Sequence, residues 1–310
     1  MIRHTRAAAV IAVLLLIFAF SACNVSPSGT GSGRLSIQAT GFPEYDAARA
    51  IVGNAADLNM ILPAGSTEIH EFDPSLRQKI AISESDLLIY CGGESDVWVD
   101  TLLASSDRKP ETFKLMDAVE LRMEESITGH HGTDDEYDEH VWTSPANMRT
   151  IVSALADRII EMDPANGEFY RANADAYIAR LDALDGEYRQ TVESAARRTI
   201  VVGDRFPFLY LVREYGLEYA AAFPGCSSHT EENAGTTARL IDAVRQQGIP
   251  VVFYIEFSNQ KTANAIAAET GAVTRELHSC HAVSVEDFEQ GVTYIDIMER
   301  NLTNLREALN

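Results

Sequence analysis

Asp163 to Ala196 reads DPANGEFYRANADAYIARLDALDGEYRQTVESAA, and this stretch decides the architecture. Asp163 ahead of Pro164 is an N-cap followed by a proline at the first helical position, where the missing N–H has no intrahelical partner to lose. No further proline occurs in the stretch, and Tyr170, Ala174, Tyr177, Leu181, Leu184 and Tyr188 recur at three- and four-residue steps. That is one face of a helix. About 30 residues of helix are about 45 Å long, enough to run the length of a two-domain protein. A coiled coil would need a partner with the same heptad seam, and a single helix between α/β segments does not supply one. The spacing predicts one linking helix over 163–197.

On either side, strand-like runs alternate with helical ones. Ahead of it come Leu35–Thr40, a helix from near Pro43, Leu58–Leu62, a helix near Pro74–Ser83, Leu87–Tyr90, a helix over about Ser95–Ala104, and a short strand at Phe113–Leu115. Sustained helix resumes from Asn147. After it come Thr199–Val202, Tyr219–Phe223, a helix near Asn233–Gln247, Val251–Ile255, a helix near Asn259–Thr270, Val273–Leu277 and a last helix near Tyr294–Leu309. Such alternation indicates β-α-β units with mostly parallel sheets. The expected fold is α/β: two similar lobes, 35–162 and 198–310, bridged by the long helix, with a cleft between them.

The N-terminus indicates the compartment. Arg3 and Arg6 precede an uncharged, largely apolar run from Ala7 to Phe20. That run is short for a membrane span, which needs about 20 apolar residues, and it has the layout of a secretory signal. Phe20-Ser21-Ala22-Cys23 resembles the lipobox of bacterial lipoproteins, although Phe20 replaces the usual aliphatic residue. The resemblance implies a lipoprotein signal peptide over 1–23, lipid on Cys23, and 24–34 as a flexible Gly/Ser tether in an extracytoplasmic, membrane-anchored or periplasmic protein. The chain carries 25 basic and 46 acidic residues, a formal charge of −21, which argues against nucleic acid as a partner.

With Cys23 lipidated, Cys91, Cys226 and Cys280 remain, and an oxidising compartment favours one pair. Cys226 and Cys280 share the second lobe and lie in Gly/Ser-containing loops, so a disulfide is expected there, with Cys91 a buried free thiol at a strand end. Among the histidines, His70 and His140 each stand just before a helix, and the first also follows a strand. Loops after strands are where α/β folds bind ligands.

Here a family resemblance becomes specific. His70–Pro74 (HEFDP), Glu139–Pro145 (EHVWTSP) and the closing segment Gly291–Leu309 resemble, in this order, motifs of the zinc/manganese ABC-transporter solute-binding proteins. The resemblance implies two lobes on one rigid helix, a metal site in the interlobe cleft, delivery to the membrane permease of an ABC importer, and a monomer. Two of its ligands fall on His70 and His140. Its third, a histidine after the first strand of the second lobe, falls near Val202–Phe206, where Asp204 is the nearest candidate. Its fourth, a carboxylate, falls in Leu277–Cys280, where the residue is His278. The implied set is therefore His70, His140, Asp204 and His278, with Glu256 and His281 as alternatives. Three imidazoles and one carboxylate suit Zn²⁺; Mn²⁺ is the alternative, because harder ions prefer more carboxylates. Gly129–Glu139 (GHHGTDDEYDE) resembles the family's metal-collecting loop.

Other classes fare worse. No HExxH, nucleophile elbow or phosphate loop supports a metal-dependent hydrolase. A carrier of haem or corrinoid on a similar scaffold and a surface adhesin leave no signature in the residues.

Overall fold

The computed structural model describes residues 33–67, 72–125, 137–225 and 234–310. Leu35–Asn310 is one compact unit. Its first half contains β1 (Ser36–Ala39), α1 (Phe42–Val52), β2 (Asp57–Met60), α2 (Leu76–Glu84), β3 (Leu87–Tyr90), α3 (Val97–Ser105), β4 (Glu111–Lys114) and α4 (Pro145–Met162). The long helix is α5 (Gly167–Glu193). The second half contains β5 (Thr199–Phe206), α6 (Leu209–Tyr215), β6 (Glu218–Pro224), α7 (Ala234–Gln247), β7 (Val251–Tyr254), α8 (Lys261–Thr270), β8 (Val273–Glu276), α9 (Val285–Glu289) and α10 (Tyr294–Leu309).

The strands form two four-stranded sheets, ordered β2-β1-β3-β4 and β6-β5-β7-β8. Every pairing is parallel. The two sheets thus repeat one topology, as the strand–helix alternation predicts.

The linking helix is present, with a tighter start than expected. Pro164–Asn166 forms a 3₁₀ turn before the α-helix begins at Gly167. Asp163 accepts hydrogen bonds from Asn166 Nδ2 (2.8 Å) and Tyr170 Oη (2.7 Å), so its carboxylate fastens the turn to the first turn of the helix. At 27 residues the helix is about 40 Å long. Tyr170, Ala174, Tyr177, Leu181, Leu184 and Tyr188 are all buried, so the periodic stripe is the buried face. Buried tyrosines need partners for their hydroxyls. Tyr177 donates to Asp46 Oδ2 and Tyr188 to the Met298 carbonyl, each at 2.8 Å. The first bond ties α5 to α1 and the second ties it to α10.

One apolar core runs through the molecule. It includes Ile37, Leu87 and Ile89 of the first sheet, Leu181 and Tyr188 of α5, and Ile200, Val202 and Phe253 of the second sheet. Separating the sheets exposes this surface at roughly 25 cal/mol per Å². A wide hinge opening is therefore disfavoured.

Helix α6 has no counterpart in the periodicity of the sequence. Its ending is legible in hindsight: Gly216 sits at φ 67°, and its N–H reaches the Val212 carbonyl. This is the left-handed glycine stop that a short apolar run conceals.

Candidate metal site

The loops that follow β5, β7 and β8 converge on a cavity of about 340 Å³, lined among others by His140, Asp204, Glu256, Ser279 and His281. Thr67, three residues ahead of His70 in sequence, also lines it.

His140 opens a 3₁₀ turn (Val141–Thr143) just ahead of α4 and is buried. Its backbone N–H donates to Asp138 Oδ1 at 2.8 Å, and its Nδ1 lies 3.1 Å from the same oxygen. A carboxylate on Nδ1 fixes the tautomer with the proton there and the basic lone pair on Nε2, the arrangement usual for metal-binding histidines. Burial by itself lowers the His140 pKa, but the Asp138 carboxylate and its hydrogen bond outweigh burial and raise it. The Tyr210 hydroxyl donates to the Asp138 carbonyl at 2.9 Å, so α6 of the second lobe braces this loop of the first.

His281 enters from the other lobe. Its ring meets His140 edge-on at 5.4 Å between centroids and Trp142 at 4.9 Å. Trp142 Nε1 donates to the Ser279 carbonyl at 2.8 Å. Imidazoles from both halves are therefore side by side at the cavity.

Asp204 lies at an irregularity in β5, where the register with β6 shifts between Val202 and Arg205. Bulges of this kind re-aim side chains beside functional sites. Gly203 permits it: a Cβ there would lie 2.6 Å from the Ala263 Cα of α8. Asp204 takes a hydrogen bond from the Arg205 N–H at 2.9 Å and another from the Ser258 hydroxyl. Burial raises its pKa against these bonds.

His278 is buried and is not among the residues lining the cavity; the cleft histidine of its loop is His281. Between the two histidines Cys280 takes a left-handed conformation (φ 62°). Cys280 is a free, buried thiol that belongs to the main core, and Cys226, its expected partner, lies outside the described residues. Burial, then the Glu256 carboxylate, pushes its pKa well above the thiol range. Cys91 is the expected buried free thiol. His70, the lipidation residue Cys23, Cys226, His229 and most of the acidic loop Gly129–Glu139 lie outside the described residues. Among the described residues no three His, Cys, Asp or Glu side chains converge to hold an ion.

Asp138 and Trp142 were not singled out by sequence reasoning. The available signal was position alone, an acid two residues before His140 and an indole two after it.

Behind the cleft lies a group of buried acids. Burial, then Asp96 and Glu139, pushes Glu44 from the ordinary 4.5 to about 8. Burial foremost raises Asp96 from 3.8 to about 7. A carboxyl whose pKa rises on folding keeps its proton where the unfolded chain has lost it. Its contribution is fully present below the ordinary pKa and declines as pH rises to the folded value. The metal-free protein is therefore expected to melt lower at pH 8.5 than at pH 6, and Glu44→Gln to flatten part of that slope. Thermal melting across the range checks this; an apo melting point that rises from pH 6 to 8.5 would overturn it.

Two like parallel-sheet lobes, one long helix and a cleft with imidazoles from both halves define a solute-binding protein. The comparisons agree. Residues 37–308 match the family described as ZnuA, zinc-uptake complex component A, periplasmic. The chain is 30% identical over 306 residues to the high-affinity zinc uptake system protein ZnuA of Bacillus subtilis strain 168, covering 96% of this chain and 95% of the relative. It is 31% identical over 283 residues to the zinc-binding lipoprotein AdcA of Streptococcus pneumoniae, covering 89% of this chain but only 56% of that longer protein. The Zn(II)-bound ZnuA-like domain of S. pneumoniae AdcA superposes with a TM-score of 0.76 at 30% identity, over 89% of this chain and 99% of the domain. The chain belongs to the ZnuA family, a family of solute carriers and not of enzymes.

Proposed function

We propose that this protein captures Zn²⁺ outside the cytoplasm and delivers it to the permease of an ABC importer, working as a monomer held to the membrane by lipid on Cys23. The observation that carries the reading is the approach of His140 and His281 from opposite lobes, 5.4 Å apart at the cavity. The ligand set is His70, His140 and His281 with the Asp204 carboxylate. Family membership and the position of Thr67 on the cavity support His70. Asp204 is supported by its place on the cavity at the irregularity in β5.

Three imidazoles favour Zn²⁺ over Mn²⁺. The continuous core leaves loop rearrangement or a slight tilt of one lobe as the route for loading and release. Among the described residues no helix is long and apolar enough to cross a membrane. Protein purified without chelator is expected to carry one zinc per chain by elemental analysis; manganese in its place, or no metal after exposure to zinc, would overturn the reading.

A further inference from the structure

We propose that His278 is a positioning residue and not a zinc ligand: with Asn301 and Glu256 it clamps the loop Leu277–His281 in the turn that presents His281 to the cleft. The proposal rests on the zinc reading above.

The loop leaves β8 and makes almost no further backbone–backbone contact of its own. The Leu277 N–H still donates to the Tyr254 carbonyl at 2.8 Å. From there the next four N–H groups all go to side chains. The His278 N–H donates to Asn301 Oδ1 (2.8 Å), Ser279 to Glu256 Oε2 (2.7 Å), Cys280 to His278 Nδ1 (2.9 Å) and His281 to Ser279 Oγ (3.2 Å). The carbonyls are treated likewise: Asn301 Nδ2 donates to His278 (2.7 Å) and Trp142 Nε1 to Ser279 (2.8 Å). Asn301 is buried on α10 and reads both backbone groups of a single residue, which a two-faced amide does well.

Buried backbone groups demand partners, and this loop obtains them from α10, the loop after β7 and its own imidazole. The result holds Cys280 at φ 62°, a conformation that residues with a Cβ avoid unless their surroundings impose it. Were the Cys280 N–H not captured, the turn would relax and His281 would lose its place beside His140.

The ring chemistry of His278 points the same way. Its Nδ1 accepts the Cys280 N–H, so the neutral ring carries its proton on Nε2. A metal ligand needs a lone pair, and in this tautomer Nδ1 is engaged and Nε2 is protonated. His140, with Nδ1 on a carboxylate, has the opposite tautomer. The two histidines thus divide the work between holding the loop and binding the ion.

Asparagine separates the roles, because its Oδ1 stands where His278 Nδ1 stands and it has nothing in place of Nε2. Full-length wild type, H278N and H278A are titrated with Zn²⁺ against a competing chelator. H278N is expected to stay within about threefold of the wild-type Kd, and H278A to weaken binding by roughly 10- to 100-fold, the range for groups that orient metal ligands. Equal losses of 100-fold or more in both variants would make His278 a ligand, and an unchanged H278A would show that the clamp does not position the site. If H278A does not fold, H278N alone decides between strut and ligand. If wild type itself takes up no zinc, the zinc reading fails, and hydrogen exchange in the metal-free protein decides the clamp: the Cys280 amide should be protected in wild type and H278N and exposed in H278A, and equal protection in all three overturns it.

Discussion

Replacing His281 with alanine is expected to weaken zinc binding by two to three orders of magnitude while leaving the metal-free fold intact. Zinc sites built wholly from protein ligands bind with about 10–16 kcal/mol near neutral pH. One ligand of four accounts for roughly 3–4 kcal/mol of that, and each 1.4 kcal/mol is tenfold in Kd. The ring lies at the cavity edge, its backbone N–H is held by Ser279, and the loop remains fastened by Asn301 without it. Truncation therefore removes a ligand from the cavity lining, where the ring packs on Trp142 at 4.9 Å. Competition titration gives the Kd, and circular dichroism of the metal-free variant shows whether the fold survives. The same change at His229, absent from the proposed ligand set, should leave the Kd near wild type. A His281→Ala protein that binds zinc as wild type does would remove His281 from the site.

What the sequence revealed and what it concealed divide along physical lines. The linking helix was legible because its buried stripe repeats with the helical period over many turns, and the two sheets because strand and helix alternate twice in the same order. The site was legible only as far as local motifs reach. His140 announces itself beside Trp142 and ahead of Pro145. Between His278 and His281 stands a left-handed residue, Cys280, where no glycine or asparagine signals the turn. The neighbouring His278 backbone is held by Asn301, 23 positions further along the chain. The turn that brings His281 to the cleft carries the Cys280 side chain into the core, where it is a packed apolar group. The irregularity in β5 beside Asp204 was not legible, and Gly203 there approaches Ala263 of α8, a contact between segments about 60 residues apart.

Zinc is expected to raise the melting temperature by about 8–16 °C at a thousandfold excess over Kd, and manganese at the same free concentration by less than half as much. An ion that binds only the folded chain stabilises it by RT ln(1 + [L]/Kd), about 4 kcal/mol at that excess. One kcal/mol moves the midpoint of a chain of this size by roughly 2–4 °C. The site distinguishes the ions through its donors. His140 and His281 offer imidazole nitrogen from the two lobes, and the carboxylates at the cavity are already hydrogen-bonded, Asp204 to Ser258 and Arg205 and Glu256 to Ser279. Manganese prefers more oxygen than such a set supplies. Because the ligands come from both lobes, the ion also bridges loops that the unfolded chain cannot hold together, so its binding energy appears as folding stability. The shift should shrink to a few degrees in His281→Ala at the same zinc concentration, which ties it to the cleft instead of to acidic surface sites. A larger shift with Mn²⁺ than with Zn²⁺ would reverse the metal assignment, and an undiminished zinc shift in His281→Ala would place the ion elsewhere.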